Sequence, residues 1–130
     1  MPRQEREVRT VHRLHKEVAE KMIKISVAPK RYKVKIKGHA RFSEIGTDII
    51  CASVSFSFYN LSQVILNFYE AGMLCKEPEL SDNPGNATLE VMPKAEYEAH
   101  VQLALAYFTE GMRILDAQYP EFVSLKVTEK

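Results

Sequence analysis

The sequence predicts an α+β fold, a two-layer sandwich of two long helices on a mainly antiparallel sheet of about five strands. Two kinds of pattern indicate this fold class. Short runs in which apolar and polar residues alternate are typical of half-buried strands, and two longer segments carry apolar residues at helical spacing. Their order along the chain is ββαββαβ, with an optional helix at the N-terminus. Helices that cover one face of such a sheet produce two layers.

The chain of 130 residues has room for one domain of this kind. We assign residues 1–21 to a basic N-terminal extension, helical or loosely ordered, and residues 22–130 to the domain. Residues 1–37 carry twelve Lys or Arg and four Asp or Glu, whereas the remainder carries six and thirteen. A basic segment is compatible with nucleic acid, a ribosomal surface or an acidic partner, but we favour the simpler interpretation that these are solvated faces of a short helix and two strands. Charge alone therefore does not favour nucleic acid as a partner.

The expected compartment depends on whether the sequence has a secretory signal or a membrane-spanning segment. The charged N-terminus does not resemble a secretory signal, and no apolar run approaches the roughly 18 to 20 residues of a membrane span. We expect a cytoplasmic protein without a membrane segment, and nothing in the sequence indicates a cofactor. In that compartment Cys51 and Cys75 are expected as thiols rather than as a disulfide.

The first two strands are predicted around residues 23–27 and 32–36, where apolar side chains alternate with polar ones. Residues 28–31 include a proline and make the turn between them. Three lysines of the second strand then share the open face of the sheet, where we expect them mainly to keep the sheet soluble. They are Lys33, Lys35 and Lys37.

The apolar segment of residues 49–71 allows two interpretations. In its first half, apolar residues alternate with serines, which is typical of a strand. The same segment also has a helical apolar stripe, and its length exceeds that of ordinary strands. Asp48 is well placed as an N-cap and Gly72 as a C-cap. We therefore predict a helix.

The second half of the chain is predicted as a hairpin, a helix and a strand. The hairpin arms are residues 74–80 and 87–92, and Pro78 in the first arm indicates a short edge strand. Pro93 suits the first position of a helix that extends to Tyr119. Residues 122–127 alternate again and form the last strand.

Residues 38–55 contain a candidate thiol active site. Cys51 follows Asp48 by three residues, which predicts a position in the first helical turn, where free N–H groups and the helix dipole favour a thiolate. His39 lies twelve residues earlier at a strand end, so the intervening loop can bring its imidazole to the thiol as a base. The backbone N–H groups of Cys51 and Ala52 are candidate oxyanion donors.

The neighbouring polar residues leave alternatives open. Asp48 either caps the helix or orients His39, and Ser55, one turn after Cys51, either bonds to the site or only packs in the helix. A buried inert cysteine and a histidine with a structural role are the alternatives for the main pair. A metal site built from Asp48, His39 and Cys51 is not expected, because no second close pair of ligands accompanies them.

A known family signature, G-H-A … G-x-D-I-V-C-A-x-x-S, matches three pieces of this stretch in order. They are Gly38-His39-Ala40, then Gly46-Thr47-Asp48-Ile49-Ile50-Cys51-Ala52, then Ser55. The chain therefore resembles the ribosomal-processing cysteine proteases, the Prp family, from Met22 onward. Ser53 departs from the family, which commonly has glycine or alanine there.

The resemblance implies a small homodimeric endopeptidase that removes a short N-terminal extension from protein 27 of the large ribosomal subunit. It makes Cys51 and His39 the catalytic dyad and gives Asp48 and Ser55 supporting roles. The segment between histidine and cysteine would order over a bound peptide. This substrate loop comprises Ala40, Arg41, Phe42, Ser43, Glu44, Ile45, Gly46 and Thr47.

Two other functions are compatible with the same sequence. Family members also occur in prophages, which makes a phage capsid or scaffold protein an alternative substrate. A non-catalytic module that binds the ribosome or RNA through the basic first third of the chain is an alternative from another class.

Overall fold

The structure, a computed structural model, describes residues 22–38, 47–83 and 85–129, without the side chains of residues 47 and 48. The predicted N-terminal helix, His39 and the substrate loop up to Gly46 lie outside the described residues.

Five strands form one mixed sheet, which confirms the predicted α+β class. They are β1 (Ile23–Ala28), β2 (Lys33–Lys37), β3 (Glu79–Asn83), β4 (Asn86–Glu90) and β5 (Val123–Val127). Their order across the sheet is β3-β4-β2-β1-β5. The pair β1–β5 is parallel, and the other three pairs are antiparallel. The last strand therefore completes the sheet on the far side of the first one.

Two helices supply the second layer. They are α1 (Thr47–Glu70) and α2 (Glu98–Gln118). Their apolar stripes share one buried core with the inward-facing residues of the sheet, such as Ile25, Val34 and Leu89. Because both helices pack on the same side, the polar residues of β1 and β2 are left on the open side of the sheet.

The structure resolves the strand-or-helix ambiguity of α1 in favour of the predicted helix. Two of the alternating serines bond back into the helix: Ser53 Oγ donates to the carbonyl of Ile49 at 2.7 Å, and Ser57 Oγ to that of Ser53 at 2.8 Å. The helix ends at Glu70, and Gly72 caps it, as predicted. Gly72 has a φ of +78°, and its N–H donates to the carbonyl of Tyr69 in a Schellman cap.

The expectation that no apolar run approaches the length of a membrane span is wrong for helix α1. From Ile49 to Glu70 it has 22 residues with a mean hydropathy of 1.5 in its most apolar window, enough by length and composition alone. Core helices of soluble proteins meet the same criterion, and here Val54, Phe58 and Ile65 of α1 are buried in the domain core.

Two boundaries in the second half differ from the prediction. Strand β3 begins after Pro78, not before it, and extends to Asn83, so the hairpin turn is tighter than the predicted loop. Pro93 does not start α2 but forms an isolated bridge with Leu74, and a short 3₁₀ turn at Ala95–Tyr97 precedes the helix. Local proline signals did not reveal these tertiary pairings.

Candidate active site

Cys51 lies near the start of α1, on the side that faces the domain. It is the fifth residue of a helix that begins at Thr47, and it is half-buried against the hydrophobic core. It does not form a disulfide with Cys75, whose Sγ lies 3.5 Å from the carbonyl oxygen of Pro93. The two thiols have different surroundings, because Cys51 is half-buried and Cys75 is exposed.

The helix start affects the predicted oxyanion donors. In an α-helix each N–H donates to the carbonyl four residues earlier, and only the first N–H groups lack such a partner. Because α1 begins at Thr47, Cys51 lies just beyond the first turn in which it was expected. Donation by the N–H groups of Cys51 and Ala52 to an oxyanion would compete with bonds inside the helix, and this role stays a prediction.

Gly38 fixes the end of β2, immediately before His39. Its φ is +88°, and a Cβ at this position would collide with the backbone carbonyl oxygen of Met22. Its N–H donates to the carbonyl oxygen of Gly85 at 2.9 Å, which ties the strand end to the turn between β3 and β4. The glycine of the signature therefore has a local structural reason, namely a left-handed backbone with no room for a side chain.

A cavity of about 110 Å³ lies beside this strand end. Its walls include Gly38, which directly follows β2, Ser55 of α1 and residues of the β3–β4 hairpin. Its apolar side includes Val54 and Phe58. Ser55 is exposed one helical turn after Cys51, on the same face of the helix. Residues from the histidine half and the cysteine half of the signature thus line one space.

Tyr59 and Asp82 form a part of this site that the sequence analysis missed. Both line the cavity. Hydrogen bonding to the Asp82 carboxylate, followed by the negative charge of that group, raises the pKa of Tyr59 above its ordinary value. Tyr59 follows Cys51 by eight residues, so helical spacing could have placed it on the same face of α1. Its partner Asp82 lies in the following hairpin, and the sequence pattern did not indicate this contact.

The predicted site residues differ in how far the structure describes them. Cys51, Ala52 and Ser55 are placed on α1. Asp48 is inside the helix as its second residue, without a described side chain, so its capping or orienting role stays a prediction. His39 lies outside the described residues. Among the residues that are described, no group of three or more His, Cys, Asp or Glu side chains could hold a metal ion.

The chain is similar to known proteins in its family signature and in its fold. The family model of the cysteine protease Prp matches residues 22–124, a span that includes the whole signature. No curated protein matches the chain.

Solved structures share the fold at low sequence identity. The protein SMU.848 from Streptococcus mutans has a TM-score of 0.62 and 24% identity, with 86% of this chain and 98% of that chain covered. An essential ribosomal processing protease Prp from S. aureus, in complex with a covalently linked product peptide, has a TM-score of 0.60 and 22% identity, with 82% and 98% covered. The same protease with a substrate peptide has a TM-score of 0.59 and 19% identity, with the same coverage.

Proposed function

The chain belongs to the cysteine protease Prp family, and from this we propose that it removes a short N-terminal extension from a ribosomal protein, protein 27 of the large subunit. Membership of the family makes it a cysteine endopeptidase, which is a hydrolase. The substrate is supported by a relative with the same fold, the ribosomal processing protease of S. aureus, whose chain is covered over 98% of its length. Such a reaction takes place in the cytoplasm, on a newly made ribosomal protein.

We assign the chemistry to Cys51 as nucleophile and His39 as base. His39 takes the thiol proton, and the thiolate attacks the scissile carbonyl carbon to form a tetrahedral oxyanion. When the C–N bond breaks, His39 returns the proton to the leaving amine, and the acyl group stays on sulfur as a thioester. Water then hydrolyses the thioester with His39 again as base, which releases the carboxylate product and restores the thiol.

The observation that carries this assignment is the cavity between α1 and the end of β2. Ser55 lies one turn after Cys51, and Gly38 directly precedes His39, yet both line the same 110 Å³ space. A peptide bound there would lie beside both halves of the signature. Asp48 and Ser55 are assigned supporting roles at the helix, and residues 40–47 are assigned to the loop that orders over the peptide.

The first experiment compares two cysteine variants. Cys51→Ala should abolish cleavage of a peptide that spans the predicted processing site, because no other group replaces the thiolate. Cys75→Ala is the matched control and should retain activity, since Cys75 lies outside the cavity. Cleavage is followed by mass spectrometry, and circular dichroism checks that both variants fold. Activity in a folded Cys51→Ala variant would contradict the assignment.

A second experiment identifies the substrate. Wild type and Cys51→Ala are each incubated with lysate of the source cells, and new N-termini are sequenced. We expect one new terminus, a few residues inside ribosomal protein 27, in the wild-type sample only. A new terminus in a phage structural protein would replace the ribosomal substrate while leaving the Cys51 chemistry intact.

We further propose that the enzyme is a homodimer joined through its helix layer. A groove of about 780 Å³ runs along the outer side of α1 and α2, and it is lined mainly by apolar side chains. Phe56, Leu103 and Tyr107 line it and are 71%, 72% and 79% exposed. A contiguous apolar surface of this kind is uncommon on a monomer, and a second copy would bury it against the same surface.

The dimer is tested by a charge placed in the groove. Leu103→Glu should shift the protein to monomer in analytical ultracentrifugation, because dimer formation would bury a carboxylate. Ala117→Glu is the matched control, as it adds the same charge at an exposed position of α2 outside the groove. If both variants sediment as the wild type does, the dimer does not form through this face.

A further inference from the structure

The open face of the sheet carries a group of lysines that the strand register brings together. Lys24 of β1 pairs directly with Lys37 of β2, and Ser26 of β1 pairs with both Lys35 and Lys126 on its two sides. Paired residues of neighbouring strands point to the same face, so these four lysines lie within about 10 Å by 7 Å of sheet. All four are exposed. We call this group the lysine face: Lys24, Lys35, Lys37 and Lys126.

Among the described strands, the acidic side chains of this sheet face lie in another part of it. The register places Glu79 and Glu90 one row away, and these pair with lysines outside the lysine face, Lys76 and Lys33. The rows of the lysine face continue instead into neutral polar residues. These are Ser81, Asn83, Asn86, Thr88 and Ser124. Within the described part of the chain, no lysine of the lysine face forms an ion pair with a carboxylate.

The arrangement is unfavourable for the isolated domain. Like charges directly opposite each other on neighbouring strands destabilise a sheet, and Lys24 and Lys37 are such a pair. Solubility requires exposed charge but does not require two lysines in direct opposition. A partner with a high density of negative charge would convert this repulsion into attraction.

We propose that the lysine face binds the phosphodiester backbone of RNA. The backbone presents a negative charge at each nucleotide, and several lysines can contact successive phosphates at once. The neighbouring hydroxyl groups of Ser26, Thr88 and Ser81 can bond to phosphate oxygens and to 2′-hydroxyls. The lysine face lacks the exposed apolar side chains that would enter a bilayer, which disfavours a membrane as the partner.

The site is separate from the peptidase site. Both described helices, including the one that carries Cys51, pack on the opposite side of the sheet. None of the four lysines lines the cavity beside Ser55, so phosphates bound to them would leave that cavity open. The two functions can be tested independently, and this inference does not depend on the substrate proposed above.

The test measures RNA binding by fluorescence anisotropy with a labelled single-stranded RNA of 20 nucleotides. The variant Lys24→Gln/Lys35→Gln/Lys37→Gln/Lys126→Gln is compared with Lys30→Gln/Lys33→Gln/Lys76→Gln/Lys94→Gln, which removes the same charge outside the lysine face. Both are made in the full chain, so that the basic residues of the N-terminal extension are kept. Peptidase activity and thermal unfolding confirm that each variant is folded.

Four phosphate contacts predict that the affinity of the wild type falls about 50-fold between 50 and 200 mM salt. The first variant should bind at least about tenfold more weakly at 50 mM and lose most of this salt dependence, while the second keeps both. The proposal would be overturned if the first variant bound RNA as tightly as the wild type does. It would also be overturned if both variants lost affinity to the same extent. Phosphatidylserine vesicles and polyglutamate serve as competitors, and tighter binding to either one than to RNA would also overturn it.

Discussion

At the scale of single residues, Tyr59 of α1 interacts with Asp82 of β3, the next element along the chain. The connected hairpin also holds Gly38 through Gly85. Tyr59, Asp82 and Gly85 all line the cavity beside the proposed catalytic residues.

Tyr59→Phe should lower stability in a pH-dependent manner. The hydrogen bond to Asp82, followed by the charge of that carboxylate, raises the pKa of Tyr59 in the folded protein above its ordinary value of 10.0. A raised folded pKa means that the bond contributes fully below the ordinary pKa, and its contribution is lost as pH rises through the folded pKa. Denaturant titrations of wild type and variant should differ at neutral pH and converge at strongly alkaline pH.

Tyr69→Phe is the control for this measurement, because Tyr69 is another exposed tyrosine of α1. It should not produce the same pH-dependent difference. A constant gap between wild type and Tyr59→Phe across the titration would show that the hydroxyl does not act through the carboxylate.

At the scale of elements, the ends of β2 and α1 depend on two glycines with positive φ. Gly38 and Gly72 both adopt a backbone that costs other residues about 1–2 kcal/mol. They differ in their surroundings: a Cβ on Gly72 meets nothing within 4 Å, whereas one on Gly38 meets the backbone of Met22. One glycine therefore ends a helix, and the other aligns the strand that leads to His39.

Alanine at these two glycines separates stability from activity. Gly72→Ala should lower the free energy of unfolding by about 1–2 kcal/mol and leave peptide cleavage unchanged. Gly38→Ala should cost more, because the backbone must also shift, and it should reduce kcat/KM by about 100-fold through misplacement of His39. Denaturant unfolding and peptide cleavage measure the two effects. Normal kcat/KM in Gly38→Ala would mean that this strand end does not position the base.

The predictability of each element depended on whether its cause was local. The strands β1 and β2 follow from alternation, and α1 follows from its length and its glycine cap, so the sequence was sufficient. The alternating serines made α1 resemble a strand. In the helix, the hydroxyl groups of Ser53 and Ser57 donate to backbone carbonyls of the preceding turn. Pro93 was misjudged because a bridge to Leu74 competes with its preference for a helix start.

The candidate site was only partly predictable. Cys51 and Ser55 were found from a motif, whereas Asp82 belongs to the site only through tertiary contact.

At the scale of the whole molecule, the sheet and both helices share one core, and no other described element covers the outer side of the helix layer. Two leucines of α2 illustrate the division. Leu105 is 1% exposed and packs in the core, whereas Leu103 is 72% exposed and lines the outer groove. Their side chains are identical, and only their environment differs.

Substitution of these leucines should separate folding from assembly. Leu105→Ala should lower the free energy of unfolding by about 2–5 kcal/mol, because it leaves a cavity in the core. Leu103→Ala should change monomer stability by less than about 0.5 kcal/mol and weaken self-association. Denaturant unfolding at low protein concentration and sedimentation at higher concentration provide the two measurements. Equal destabilisation by both would mean that the groove belongs to the monomer core.

Strand β3 also determines how copies of this domain can meet. As the outermost strand next to β4, it has one edge without a pairing partner among the described strands, and backbone N–H and C=O groups at such an edge could recruit a strand from another molecule. All five of its residues are exposed, two of them are acidic, and a proline precedes it at position 78. Short, charged edges bounded by proline resist strand addition. These features of β3 therefore oppose growth into aggregates along this side of the sheet.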